Sequence, residues 1–98
     1  MDDISIVQIS DTHICKPGKL LKNNIDSNLN LQRLIWQINA EEYPIDYLLI
    51  TGDMVETGAE EEYINLKQIL SSLNPKIQLL FCLGNHDCFD SFGKIFTE

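Results

Sequence analysis

The chain has 98 residues, which allows one small domain with a modest core, and its hydrophobic fraction of 44% is that of a globular protein. Asp+Glu 15 against Lys+Arg 7 gives a net charge of −8, which argues against the basic face that binding to a nucleic-acid backbone needs. No apolar run approaches the roughly 20 residues of a membrane span, and the acidic start Met1-Asp2-Asp3 lacks the basic region of a secretory signal; the expected setting is cytoplasmic, with no membrane and no nucleic acid among the partners.

In chain order, Ile4–Ser10 is rich in Ile and Val and reads as a buried strand. Lys16–Asn24 is polar and contains Pro17 and Gly18, so it reads as a loop with Lys16, Lys19 and Lys22 solvated. Asp26 or Ser27 caps the next helix. Its Leu31, Leu34, Ile35 and Ile38 share one face, and Pro44 bars its continuation. Ile45–Thr51 is a second apolar strand. Thr57-Gly58-Ala59-Glu60 fits a capping box with Glu60 reaching back to Thr57. Glu60, Glu61 and Glu62 then fill a first turn where the helix dipole favours negative charge. Tyr63, Leu66, Leu70 and Leu73 mark that helix's buried face, Asn74-Pro75 ends it, and Ile77–Leu83 is a third apolar strand. Asp90–Phe96 begins another helix. Trp36 and Tyr43 are expected to pack and Cys82 to lie in the core, with Cys15 and Cys88 as loop thiols.

The order β-α-β-α-β, with continuous apolar strands, predicts an α/β fold with a parallel sheet. Right-handed crossovers laid down in one direction put both helices on one side and leave the other sheet face bare. Strands apolar on both faces need a second layer that these residues do not supply, so the chain reads as half of a domain.

Three signatures follow the three strands: Asp11-Thr12-His13, Gly52-Asp53 and Gly84-Asn85-His86-Asp87. Ligand sites in open α/β sheets gather beyond the carboxyl ends of the strands, and Asp, His and Asn are metal ligands. Asp11 and His13 are two apart and point the same way in extended backbone. Gly52 and Gly84 permit tight turns and close backbone approach. A carboxylate such as Asp53 can bridge two cations roughly 4 Å apart, which activate a shared water for in-line displacement at phosphorus. His86 would then protonate the leaving oxygen or stabilise its charge, and Asp87 would orient His86. Asp11-x-His13 alone is a weak signal, and Gly52-Asp53 and Gly84-Asn85 alone also read as ordinary turn chemistry; their order, each after a strand, is what points to a metal centre.

Together these signatures resemble the first three motifs of the calcineurin-like metallophosphoesterase superfamily. Ile9-Ser10-Asp11-Thr12-His13 and Thr51-Gly52-Asp53-Met54-Val55-Glu56-Thr57-Gly58-Ala59-Glu60-Glu61-Glu62-Tyr63 resemble one branch, the bacterial class III cyclic nucleotide phosphodiesterases. The resemblance implies that Asp11 and His13 bind a first metal, Asp53 bridges, Asn85 binds a second metal and His86 acts near the leaving group. The cofactors implied are two divalent ions (Fe, Mn or Zn), and the substrate is a small-molecule phosphodiester such as cyclic AMP. The implied fold is a four-layer αββα sandwich, of which residues 1–98 would be the amino-terminal, parallel β-α-β-α-β half. The family pattern also requires a further histidine and a Gly-His-x-His motif, and no histidine follows His86 here. A carboxyl-terminal segment or a dimer partner is therefore expected to complete the site. Two other readings stay open: a pyrophosphatase or nuclease type of the same superfamily, the nuclease disfavoured by the acidic charge, and a non-catalytic fragment that interacts through its bare sheet face.

Overall fold

The structure is a computed structural model that describes residues 3–85 and 87–96. The apolar runs form three parallel strands, β1 (Ile6–Ser10), β2 (Tyr47–Gly52) and β3 (Gln78–Leu83), side by side in that order. Between and after them lie α1 (Ser27–Asn39), α2 (Glu60–Leu70) and α3 (Phe89–Phe96), with a 3-10 turn at Lys22–Asn24. The expected β-α-β-α-β order is therefore present, and the segment after β3 is the expected helix.

The register decides which side chains are covered. Val7, Leu48 and Leu79 align across the sheet, as do Ile9, Ile50 and Phe81. These rows face a core with Leu31 and Ile35 of α1 and Tyr63, Leu66 and Ile69 of α2, and Leu48 and Ile50 are fully buried. Burying one such side chain contributes about 1.5–3 kcal/mol. The alternate rows, Ile6–Tyr47–Gln78 and Gln8–Leu49–Leu80, turn to the other side, where Ile6 is 58% and Leu80 43% exposed. One sheet face is covered and the other is open, as the crossover argument predicts. The same period of two corrects the expectation for Cys82: Leu79, Phe81 and Leu83 take the covered face, so Cys82 is exposed.

Asp26 caps α1, its carboxylate accepting from the Leu29 N–H at 3.0 Å. The helix ends at Asn39, before Pro44, and the Asn39 side chain ties it to the end of α2 by donating to the Ser72 carbonyl and accepting from the Asn74 N–H. The cap of α2 differs from the Thr57–Glu60 box. Glu62 reaches back instead, accepting at Oε1 from the Thr57 N–H, the Thr57 hydroxyl and the Ala59 N–H. Ala59 stands at the cap and has no polar side chain, so one carboxylate in the first turn serves the whole entry. Glu60 points outward to Lys94.

α3 packs Phe92 and Phe96 against Phe81, with Phe92 also edge-on to Tyr63 at 5.9 Å. Trp36 and Tyr43 do not pack: they are 74% and 77% exposed, because Trp36 lies off the Leu31–Ile35–Ile38 face of α1 and Tyr43 sits in the turn beyond it. Cys15 lies in the loop after β1, as expected, and is fully buried there. No helix among the described residues is long and apolar enough to cross a membrane.

Candidate metal centre

The pairing of β1 with β2 runs on beyond the strands. Asp11 N–H donates to the Thr51 carbonyl at 2.9 Å, His13 N–H to Asp53 at 3.0 Å and Ile14 N–H to Met54 at 2.8 Å, and Glu56 N–H returns to Ile14 at 3.0 Å. This extension is not simple strand. Asp11 and His13 have φ of 55° and 46°, the left-handed region, so their convergence does not come from extended backbone as expected. The loop between them is held from several sides. The Ser27 hydroxyl donates to the His13 carbonyl, the Thr12 hydroxyl to Met54, and the amides of Asn28 and Asn65 take up the N–H and carbonyl of Cys15. Ser27, Asn28 and Asn65 are buried polar residues, and holding this loop accounts for their burial.

Two glycines let the loops nest. At Gly52, φ is +74° and a Cβ would lie 2.5 Å from Asp11 Oδ1. A Cβ on Gly84 would strike the Asp53 carboxylate and the Gly52 backbone. The Asp53 N–H donates to Asp11 Oδ1 at 3.1 Å. As a result one ligand atom from each of Asp11, His13 and Asp53 lies within 4.8 Å of the others. Two carboxylates and an imidazole at this spacing fit a divalent first-row cation by donor type, and the cation would relieve the repulsion between the two carboxylates.

Asn85 is exposed and follows Gly84, whose backbone abuts Asp53. His86 lies outside the described residues. Asp87 is expected to orient His86, yet its described bonds have another purpose. Its carboxylate accepts from the N–H groups of Met54, Val55 and Gly84 and from the Tyr63 hydroxyl, at 2.9–3.1 Å. It joins the loop after β3 to the loop after β2. The Tyr63 hydroxyl also accepts from the Cys88 N–H, and burial, with Asp87 alongside, pushes the Tyr63 pKa far above its ordinary value. The Cys88 thiol is held below its usual range by hydrogen bonding with Ser91.

Sequence reasoning assigned no role to Glu56, although it lies in the stretch quoted above. Its Oε1 is 2.8 Å from His13 Nδ1. The signal that would find it is the parallel register, which pairs Ile14 with Val55 and brings the Glu56 N–H onto the Ile14 carbonyl. Beside Asp11 and His13 opens a cleft of 290 Å³, with Leu21, Ile25, Leu34 and Asn30 among its walls. Lys16, Lys19 and Lys22 are exposed, as expected of a solvated loop.

The calcineurin-like phosphoesterase family profile matches residues 4–97. The chain belongs to the calcineurin-like phosphoesterase family. It is 34% identical over 93 residues to a probable glycerophosphodiester phosphodiesterase of Arcobacter nitrofigilis, covering 95% of this chain and 33% of that protein. It is 31% identical over 93 residues to a probable cyclic nucleotide phosphodiesterase of Rhodopseudomonas palustris, with 95% and 33% coverage. It is 33% identical over 92 residues to a 3',5'-cyclic-nucleotide phosphodiesterase of Nostoc sp., with 94% and 34% coverage. The chain thus spans about a third of the length of these relatives. Family membership bears out the expected hydrolase lineage, and the parallel α/β architecture is that of a partial calcineurin-like fold.

Proposed function

We propose that the whole protein hydrolyses a small-molecule phosphodiester with two divalent metal ions (Fe, Mn or Zn). The observation that carries this reading is the convergence of Asp11, His13 and Asp53 ligand atoms within 4.8 Å at the carboxyl ends of parallel strands. Asp11 and His13 would hold the first ion, Asp53 would be shared between the two, Asn85 would serve the second, and His86 would be the general acid for the leaving oxygen. When bound, the ions supply positive charge at phosphorus and lower the pKa of water for attack. The chain's own part is to fix the ligands: the Asp87 carboxylate, the buried amides and the two glycines hold the loops at the required spacing.

Residues 1–98 are read as the amino-terminal part of such a domain. The share of the relatives' length and the open sheet face support this. Further ligands then come from a carboxyl-terminal segment or a dimer partner. A cyclic nucleotide such as cyclic AMP is the first substrate, on the names of the Rhodopseudomonas and Nostoc relatives. A glycerophosphodiester is the second, on the name of the Arcobacter relative. A cytoplasmic setting fits three free cysteines.

The test is calorimetric titration of the chain with Mn²⁺, followed by hydrolysis assays of the whole protein on cyclic AMP and glycerophosphocholine. Binding that Asp53→Asn abolishes is the expected result. Absence of Mn²⁺ binding to the wild-type chain would overturn the metal assignment, and the turnover ratio decides between the two substrates.

A further inference from the structure

We propose that Glu56 is the positioning residue for His13, accepting a hydrogen bond from its Nδ1–H so that the ring offers its Nε2 lone pair to the cation. This rests on the metal reading of Asp11, His13 and Asp53 given above. The contact is 2.8 Å from His13 Nδ1 to Glu56 Oε1, between two partly buried side chains. An ordinary surface ion pair contributes little, because two long side chains must be ordered to make it. This pair differs, because both backbones are already in place. His13 is fixed by its own N–H on Asp53 and by the Ser27 hydroxyl on its carbonyl. Glu56 is fixed by its N–H on Ile14, and the preceding Val55 by its N–H on Asp87. Little conformational freedom remains to be lost when the side chains meet.

The chemistry follows from the two ring nitrogens. A neutral imidazole carries one proton and one lone pair, and the partner of one nitrogen decides the state of the other. A carboxylate only accepts, so Glu56 selects the tautomer with the proton on Nδ1. The lone pair then sits on Nε2, and the hydrogen bond to a negative group raises the basicity of that nitrogen as a ligand. Glu56 also sets the ring plane, which a single metal bond would leave free to rotate. In the sequence this pairing is hidden, since 43 positions separate the two residues.

The full chain, labelled with ¹⁵N at histidine, supplies the test. In metal-free alkaline buffer, long-range ¹H–¹⁵N correlation is expected to show His13 protonated at Nδ1, and Glu56→Ala to shift it toward the Nε2-protonated form. Zn²⁺ affinity, by competition with a chelating dye, is expected to fall about 10–100-fold in Glu56→Ala. Glu56→Gln, whose amide oxygen accepts the same proton without charge, should lose less. Both variants should keep the wild-type far-ultraviolet circular dichroism. A wild-type His13 protonated at Nε2, or Zn²⁺ affinity unchanged in Glu56→Ala, overturns the role given to Glu56. A chain with His13 protonated at Nδ1 that binds no Zn²⁺ overturns the metal reading instead and leaves the orientation by Glu56 standing.

Discussion

Replacing Asp87 should cost more than replacing any of the ligands it supports. Its carboxylate receives three backbone N–H groups and one hydroxyl, from Met54, Val55, Gly84 and Tyr63. A hydrogen bond to a charged group is worth about 1.5–3 kcal/mol. Four of them on one carboxylate are not additive, and water reaches part of this half-buried site. Asp87→Ala is therefore expected to cost about 4 kcal/mol and Asp87→Asn about 2, the amide oxygen keeping some of the bonds. Against a total stability of about 5–15 kcal/mol for a domain of this size, the alanine variant sits near the unfolding threshold. Urea unfolding followed by far-ultraviolet circular dichroism is the assay, because Trp36 is exposed in the folded chain and its fluorescence would report little. In Asp87→Asn, Mn²⁺ affinity should also fall, since Asp53 directly precedes the tethered Met54. Both variants within about 1 kcal/mol of wild type would refute the reasoning, given what such bonds are worth.

Gly52→Ala combines a left-handed φ of +74° with a Cβ 2.5 Å from Asp11 Oδ1; thermal unfolding should show a loss of at least about 2 kcal/mol, and Mn²⁺ titration a weaker site. Tyr63 gives an alkaline signature. Its folded pKa is raised, so the folded chain keeps the phenol proton after the unfolded chain has lost it. Its contribution is full below the unfolded value of about 10 and falls above it by about 1.4 kcal/mol per pH unit. Tyr63→Phe should remove that slope from a series of urea midpoints across this range. Alkylation followed by peptide mass spectrometry should modify Cys82 and Cys88 in the native chain and Cys15 only after unfolding, since Cys15 is fully buried.

The elements were legible because their signals are local. Asp26 before an apolar 3.6-period face, and Pro44 and Pro75 as stops, mark helices within their own windows. The three signatures were legible because each follows its strand directly. What was missed depends on pairing between distant segments. The capping carboxylate of α2 is Glu62 rather than Glu60, because it also reaches Thr57, which lies two residues before the cap. Cys82 lies on the exposed side of β3 rather than in the core, and the loop that carries Cys15 is buried. An apolar run does not say which parity of residues faces the helices, and a polar loop does not say that Asn28 and Asn65 will draw it inward. Ile14, Met54 and Val55 are fully buried for the same reason, although they lie outside the named strands.

The placement of buried polar groups shows how the fold and the site depend on each other. Asp11 and Asp53 bring two carboxylates together, and two residues of the first loop adopt left-handed backbone. Neither arrangement is favourable by itself: like charges repel, and each non-glycine residue in that region costs of order 1 kcal/mol or more. Ser27, Asn28 and Asn65 are buried, and all three bond to the backbone of residues 13–16. Asp87 does the same for the second and third loops. The apolar rows pack the helices on the sheet, and these polar bonds join the loops beyond the strands to one another and to α1 and α2. Their effect is to hold the loop cluster, with its two neighbouring carboxylates, in one conformation. That is the arrangement expected where a cation, rather than the fold itself, supplies the compensating interaction.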